Sequence, residues 1–191
     1  MSDPLAGRNI AVYVGGSVAA FKAAGVVTEL RRRGAGTRVV MTPGAQRFVT
    51  PLTLQSLSGH PVVTDLWTET PGAAPGDAEH GMHHLSVSAW AEAQIAVAAT
   101  ANLIARLALG LADDAVTATA LACVAPLLVV PAMESAMWNH PATRANVAVL
   151  QERGAVLVGP VSGRLASGKD GDGRMAEVEE IISAAGALFR A

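Results

Sequence analysis

The chain has 191 residues, of which 51% are hydrophobic and 16% charged, with a formal net charge of -2 and one cysteine, Cys123. That length predicts a single domain with a full core, and the near-neutral charge, with no basic tract beyond Arg31 to Arg33, argues against a nucleic-acid partner. One cysteine excludes an internal disulfide and a cysteine metal cluster, and no apolar run reaches the ~18 residues of a membrane span. We expect a cytoplasmic protein without a signal peptide, and the low charged fraction is compatible with buried subunit interfaces.

Strand-like and helix-like segments alternate along the chain, which predicts a parallel sheet with helices on both faces. The predicted strands are residues 10–14, 37–41, 95–99, 127–130 and, as the last strand, 156–158. The predicted helical segments are 18–33, 45–48, 51–58, 85–91, 102–109, 114–122, 143–153 and 176–189. Residues 59–82 are expected to be rich in loops, with 71–77 the most flexible part, and the glycine-rich stretch 162–174 is predicted as a mobile loop. The prediction is one Rossmann-like, flavodoxin-like doubly wound α/β domain over residues 1–191.

The first predicted strand leads directly into a glycine turn and a helix, in the sequence NIAVYVGGSVAAFK at 9–22. Such a turn places free backbone N–H groups and the positive end of a helix where an anion can bind. The pattern is neither GxGxxG nor a Walker loop, so by itself it is also compatible with a turn that only packs tightly.

Polar side chains follow the carboxyl ends of the predicted strands, where parallel α/β sheets bind their ligands. They are Ser17, Thr42, Thr100, Asn102 and Glu134, with Ser167 in the loop after the fifth strand. Helix capping is the alternative explanation for the hydroxyl and amide residues in this set.

His83 and His84 open the helix before the third strand, and either is a candidate general base. His80 precedes them, but without nearby Cys, Asp or Glu at ligand spacing we predict no metal site, and a solvated helix start is the alternative. Glu134 stands among Met133, Met137 and Trp138, a cluster that by itself is more often core packing than a cofactor site. A carboxylate there must find a partner or be protonated.

Taken together, these segments resemble the flavin-containing cysteine decarboxylases, which include phosphopantothenoylcysteine decarboxylase and the peptidyl-cysteine decarboxylases. The matching segments are GGSVAAFK (15–22), MTPGAQRFVTPLTLQSLSG (41–59), HLSVSAWAE (84–92), ATANLIARLALGLADD (99–114), PAMESAMW (131–138) and GRLASG (163–168). They run in the family's order along nearly the whole chain. The last of them resembles the flap that covers the substrate.

The resemblance implies a bound FMN, with FAD as the alternative, and assigns roles to individual residues. The flavin phosphate would bind Gly16, Ser17 and Val18 with help from Thr42, and the rest of the flavin would contact Thr100, Ala101, Asn102, Leu103 and Ala132. His84 would be the catalytic base, and Glu134, Met137 and Ser167 would face the substrate. The resemblance also implies a homo-oligomer, a trimer or a dodecamer of four trimers, acting on a peptide or small-molecule thiol.

Three departures from the family pattern affect the predicted activity. Glu134 replaces the asparagine that holds the substrate carboxylate, Ser167 replaces the flap cysteine of the coenzyme A enzymes, and the PxxANT block has Ala98 and Leu103 for its Pro and Thr. The lost cysteine, and the lack of the synthetase domain to which bacterial coenzyme A enzymes are usually fused, favour oxidative decarboxylation of a peptide's C-terminal cysteine to an aminoenethiol. Phosphopantothenoylcysteine decarboxylation is the alternative. A flavin-binding partner or regulatory protein without decarboxylase activity is the third.

Overall fold

The computed structural model describes residues 3–67 and 83–190. At its centre is a parallel sheet of five strands in the order β2-β1-β3-β4-β5. Its strands are β1 (Asn9–Val14), β2 (Gly36–Met41), β3 (Ala93–Ala99), β4 (Leu127–Pro131) and β5 (Val156–Leu157). The strand order reverses between β1 and β3, so the ligand crevice of such a sheet lies where these two strands end.

Helices cover both faces of the sheet, as the alternating pattern predicts. They are α1 (Ala23–Arg32), α2 (Pro51–Ser58), α3 (His83–Trp90), α4 (Ala101–Leu109), α5 (Ala115–Ala122), α6 (Ser135–Trp138), α7 (Pro141–Glu152) and α8 (Val178–Ala187). Alternate residues of β1 point into different cores: Val12 packs with α1, α2 and α8, whereas Tyr13 packs with α3, α4, α5 and α7. No helix within residues 3–67 or 83–190 is both long enough and apolar enough to cross a membrane.

The predicted first helix is divided in the structure. A 3-10 helix over Val18–Lys22 precedes α1, and a second short 3-10 helix spans Ala45–Arg47. Of the predicted loop 59–82, Val63 pairs with Val40 as an isolated parallel bridge at the sheet edge. The predicted flexible stretch 71–77 lies outside the described residues.

The prediction of a loop at 162–174, and of 156–158 as the last strand, is wrong. Strands β6 (Val161–Arg164) and β7 (Asp170–Arg174) form an antiparallel hairpin after β5. Glycine and aspartate disfavour strands, which explains the error, but glycine lets this hairpin lie directly on the chain after β4. A Cβ atom at Gly173 would lie 2.1 Å from the Met133 carbonyl oxygen, and the Met133 N–H donates to the Gly173 carbonyl over 3.0 Å. Movement of the hairpin stays a prediction.

Candidate functional site

The glycine turn after β1 is packed tightly against the end of β3. The Gly15 N–H donates to the Val97 carbonyl over 2.9 Å, and a Cβ atom at Gly15 would lie 2.2 Å from the Ala98 carbonyl oxygen. Only glycine fits this position, because that distance is far inside van der Waals contact. The turn is thus held at the crevice between β1 and β3, with Gly16 and Ser17 following it.

Ser17 is placed to receive a ligand rather than to cap its helix. Its Oγ atom is buried and has no hydrogen-bond partner among the described residues, and its side chain does not cap the 3-10 helix that begins at Val18. The first N–H groups of any helix lack partners inside that helix. A buried hydroxyl without a partner beside such N–H groups is the donor set that a phosphate accepts from.

The hydroxyls of Thr42 and Thr100 have structural partners. Thr42 Oγ1 donates to the Val14 carbonyl over 3.1 Å and accepts from the Ala45 N–H over 3.2 Å, so its one proton is committed. Thr100 Oγ1 accepts from the Leu103 N–H over 3.1 Å and caps α4. The capping alternative therefore holds for Thr100, although its hydroxyl proton remains available to a ligand.

The end of β3 has an unusual backbone. Ala98 has a φ of 54°, the only positive φ outside glycine in the described residues, and the pairing of β3 with β4 shifts register between Ala96 and Ala99. Proline is fixed near a φ of about −65°, so this backbone does not suit the proline that the family pattern has here. Strain of this kind occurs where a chain is bent to shape a site. Directly after it, α4 begins with the predicted flavin contacts, Ala101 and Leu103 half-buried and buried, and Asn102 exposed.

A cavity of about 470 Å³ lies between the first 3-10 helix, the loop after β4 and the β6–β7 hairpin. Four of the predicted site residues line it, namely Ser17, Val18, Ala132 and Glu134. The remaining wall comes from residues 19, 21–22, 133, 164–166 and 173–175. The structure therefore brings the phosphate turn, the PAMESAMW segment and the hairpin together around one space.

The cavity carries three cationic side chains that the sequence did not single out: Lys22, Arg164 and Arg174. Lys22 Nζ lies 3.2 Å from Glu177 Oε2, and Arg174 pairs with the same carboxylate. The hydrogen bond from Lys22 is the main reason that the pKa of Glu177 lies below its ordinary value. Arg164 has no ion pair among the described residues, so it is free to meet an anion. The available signal was that Arg164 and Arg174 each directly follow a glycine of the hairpin, at 163 and 173.

Glu134 is half-buried at the start of α6 and faces this cavity. Its side chain does not cap the helix and has no hydrogen bond or ion pair within the described part of the chain. A carboxylate in this position needs a hydrogen bond or an ion pair, and no described residue of this chain provides one. The cluster predicted around it is divided: Trp138 is buried, with its ring 4.8 Å from the Arg144 guanidinium, whereas Met137 is 48% exposed.

The other predicted site residues lie outside the cavity: Gly16, Thr42, residues 100–103, His84, Met137 and Ser167. His84 lies in the first turn of α3, with its Nδ1 atom buried and without a partner among the described residues, and it does not line the space beside Glu134. Met137 and Ser167 do not line it either, and Ser167 is exposed in the turn of the hairpin. Within the described residues, no three His, Cys, Asp or Glu side chains are grouped to hold a metal ion.

The fold and this site define an α/β protein that binds its ligand at the carboxyl edge of a parallel sheet. The flavoprotein family matches residues 1–189. The coenzyme A biosynthesis bifunctional protein CoaBC of Mycolicibacterium smegmatis is 43% identical over 182 residues, which cover 95% of this chain and 42% of the relative. The chain thus spans less than half the length of that relative.

Two solved structures share the whole fold. The FMN-dependent cysteine decarboxylase SpaF has a TM-score of 0.80 and 32% identity, covering 98% of this chain and 99% of its own. A cysteine-to-serine mutant of PPC decarboxylase, complexed with pantothenoylaminoethenethiol, has a TM-score of 0.83 and 29% identity, covering 97% of this chain and 100% of its own.

This chain belongs to the flavoprotein family, among the flavin-dependent cysteine decarboxylases. The predicted family, enzyme class, fold and flavin cofactor are confirmed. The roles of the individual site residues stay predictions.

Proposed function

We propose that this chain catalyses the flavin-dependent decarboxylation of phosphopantothenoylcysteine, the alternative function that the resemblance raised. The observation that carries the proposal is sequence likeness to the coenzyme A biosynthesis protein, which is 43% identical over 182 residues, 95% of this chain. The ranking expected from Ser167 and from the lack of a synthetase domain in this sequence is therefore reversed. One replaced flap residue weighs less than likeness over the entire domain.

The charges around the cavity support a substrate with more than one anionic group. Lys22, Arg164 and Arg174 outnumber the single acid, Glu134, among the described lining residues. Phosphopantothenoylcysteine carries a carboxylate and a phosphate, and guanidinium groups bind both with paired hydrogen bonds. Arg164 has no competing carboxylate in the described chain, so we assign it the first contact with the substrate.

The cofactor is FMN, and the turn after β1 holds its phosphate. The buried, unpartnered hydroxyl of Ser17 supports this assignment, with backbone N–H groups at Gly16 and Val18 as further donors. Thr42 keeps the turn in place, and residues 100–103 with Ala132 contact the flavin. When bound, the flavin supplies the redox chemistry by taking up a hydride from the thiol-bearing carbon and returning it.

His84 is the proposed base that removes the thiol proton. Its buried Nδ1 atom has no partner among the described residues, so protein contacts do not commit that nitrogen. Because His84 lies outside the cavity of its own chain, we retain the proposal of a homo-oligomer, a trimer or dodecamer, in which neighbouring chains complete the site.

The test is to incubate FMN-loaded protein with phosphopantothenoylcysteine and, separately, with a peptide ending in cysteine, and to weigh the products. We expect only the first to lose carbon dioxide, roughly 44 Da. A His84→Asn variant that keeps its flavin should be at least about 100-fold slower, the size typical of a lost general base. If the protein converted the peptide and not phosphopantothenoylcysteine, the proposal would be wrong and the alternative, decarboxylation of a peptide's C-terminal cysteine, would take its place.

The peptide C-terminus is the second candidate because Ser167, not cysteine, stands in the hairpin turn, so the reaction would end at an aminoenethiol. A protein that binds flavin but converts neither substrate would fit the third reading, a partner or regulatory subunit. In that case Glu134→Asn, which restores the family's residue, is the decisive variant. If Glu134→Asn gained decarboxylase turnover, the natural protein would be an inactive member whose site lost activity through the change at position 134.

A further inference from the structure

We infer that Glu134 is the acid that protonates the substrate carbon in the closing step of the reaction, after carbon dioxide has left. The inference rests on the proposed function, because only a route that ends at the saturated thiol needs this proton. Loss of carbon dioxide from a thioaldehyde leaves an enethiolate, R–NH–CH=CH–S⁻. Conversion to R–NH–CH2–CH2–S⁻ requires one proton and one hydride.

Glu134 has the position that such an acid requires. It lines the same cavity as Ser17 of the glycine turn and Arg164 of the hairpin, the space in which we propose that cofactor and substrate bind. No side chain in the described residues holds its carboxyl group, and no helix cap uses it. It is half-buried and not fully buried, so solvent reaches it.

The other groups around the cavity are poor donors. Lys22 is tied to Glu177 at 3.2 Å, and guanidinium groups do not release a proton in proteins. Ser17 has only an aliphatic hydroxyl, a far weaker acid than a carboxyl group. Ser167 is exposed and does not line the space. Glu134 is the one carboxyl group among the described residues that line the cavity.

A Glu134 carboxyl oxygen gives its proton to the carbon next to nitrogen, and the electron pair of the carbon–carbon double bond forms the new C–H bond. A lone pair of the sulfur forms the carbon–sulfur double bond of a thioaldehyde, and the carbon of that bond would then take up a hydride, which a bound reduced flavin would supply. The product is the saturated thiolate, with Glu134 left as a carboxylate.

One explanation then covers both departures from the family pattern, serine for cysteine at position 167 and glutamate for asparagine at position 134. A solved PPC decarboxylase with cysteine replaced by serine is complexed with pantothenoylaminoethenethiol, the unsaturated product. This chain has serine in its hairpin turn naturally, and it has a carboxylic acid at position 134, inside the cavity. The proposed acid of this chain thus stands in the loop after β4 and not in the hairpin.

The test compares the products of the wild type and Glu134→Gln, both loaded with FMN and given phosphopantothenoylcysteine. We expect the wild type to form the saturated thiol, lighter than substrate by roughly 44 Da, and the variant to accumulate the enethiol, lighter by roughly 46 Da. The ratio of enethiol to thiol should rise at least about tenfold, and Glu134→Asp should restore part of the saturated product. Asp170→Asn, an acid-to-amide change at an exposed position of the same hairpin, is the matched control.

Two further readouts separate failure of this inference from failure of the proposed function. In deuterated water the wild type should place deuterium on the carbon next to nitrogen, and the absorbance of Glu134→Gln should stay that of reduced flavin when oxygen is excluded. A wild-type product ratio in Glu134→Gln, or a wild type that stops at the enethiol, would overturn the role of Glu134 and leave decarboxylation intact. If the wild type released no carbon dioxide, both the proposed function and the role of Glu134 would be wrong.

Discussion

Two cavities lie at opposite ends of the same parallel sheet. Polar side chains around one of them lack hydrogen-bond partners in the described chain, whereas those around the other are hydrogen-bonded. The one at the carboxyl ends has a volume of about 470 Å³, and the one at the amino ends of β3, β4 and β5 about 330 Å³. At the carboxyl end, the Ser17 hydroxyl, the Glu134 carboxyl group and the Arg164 guanidinium lack partners in the described chain. Size alone would not distinguish the two spaces.

At the amino end every polar group of the central network is paired. The Tyr13 hydroxyl donates to Gln94 Oε1 over 2.9 Å, and Gln94 Nε2 donates to the carbonyls of Cys123 and Ala125 over 3.3 and 2.6 Å. Burial raises the pKa of the Tyr13 hydroxyl and of the Cys123 thiol, so both stay neutral near pH 7. These groups stabilise the fold and leave nothing to bind a ligand.

Between the two cavities, the unpaired polar groups mark the one at the carboxyl ends. The Thr37 hydroxyl near the amino end of β2 is also buried without a partner among the described residues, but it lines neither cavity. An unpaired buried donor lowers stability, so it persists where a ligand satisfies it. The variant with the largest expected effect lies in the glycine turn after β1, which borders the cavity at the carboxyl ends.

Gly15→Ala should have the greatest effect. Its Cβ atom would lie 2.2 Å from a backbone oxygen that cannot move without shifting β3, so we expect a loss of about 3 kcal/mol or more and loss of flavin. Urea unfolding and flavin content measure both. Gly25→Ala in α1, where the nearest atom is a valine methyl at 3.3 Å, should change stability by less than about 1 kcal/mol. Equal midpoints for the two variants would contradict the packing described.

Gln94→Leu tests the amino-end network. The change keeps the volume but leaves the Tyr13 hydroxyl and the Ala125 carbonyl without partners, so the free energy of unfolding should fall by about 2–3 kcal/mol. FMN affinity, measured by fluorescence titration, should not change. A weaker affinity with unchanged stability would reverse the roles assigned to the two ends.

Ser17→Ala should show the opposite pattern at the carboxyl end. The unliganded protein loses no hydrogen bond, so its stability should stay within about 0.5 kcal/mol, whereas FMN should bind about tenfold more weakly. Ser56→Ala, at an exposed hydroxyl on α2, is the control and should leave affinity alone. Unchanged FMN affinity in Ser17→Ala would remove Ser17 from the phosphate site.

Glu177→Gln should have the smallest effect, confined to acid. Because folding lowers the pKa of Glu177, chiefly through its hydrogen bond from Lys22, its ion pairs stabilise the fold above its ordinary value of 4.5. That contribution is lost as pH falls from there through the lowered value in the folded state. Melting temperatures of wild type and variant should therefore differ near pH 7 and converge toward lower pH. If the difference in melting temperature between wild type and variant did not change with pH, it would not come from the ion pairs of the Glu177 carboxylate.

Local pattern was enough to predict most elements and the glycine turn after β1. β-branched residues before Gly15 and Gly16 identify β1, and Thr100 and Gly110 bound α4 as the capping rules require. The hairpin was missed because its glycines serve contacts with a segment some 40 residues earlier, and no local propensity reports such a contact. The cationic wall was missed for a similar reason, since Lys22, Arg164 and Arg174 are distant in sequence.

The sequence by itself determined the alternating architecture, the family and the residues at the ends of the strands, because short-range periodicity and turn chemistry carry that information. Tertiary structure alone decided which of those residues share a space. It placed Glu134 with Ser17 and Arg164, put Ser167 and Met137 outside, and left His84 on another element. The reason is that exposure, pairing and charge around a cavity arise from contacts between segments far apart in the chain, which no single stretch of sequence encodes.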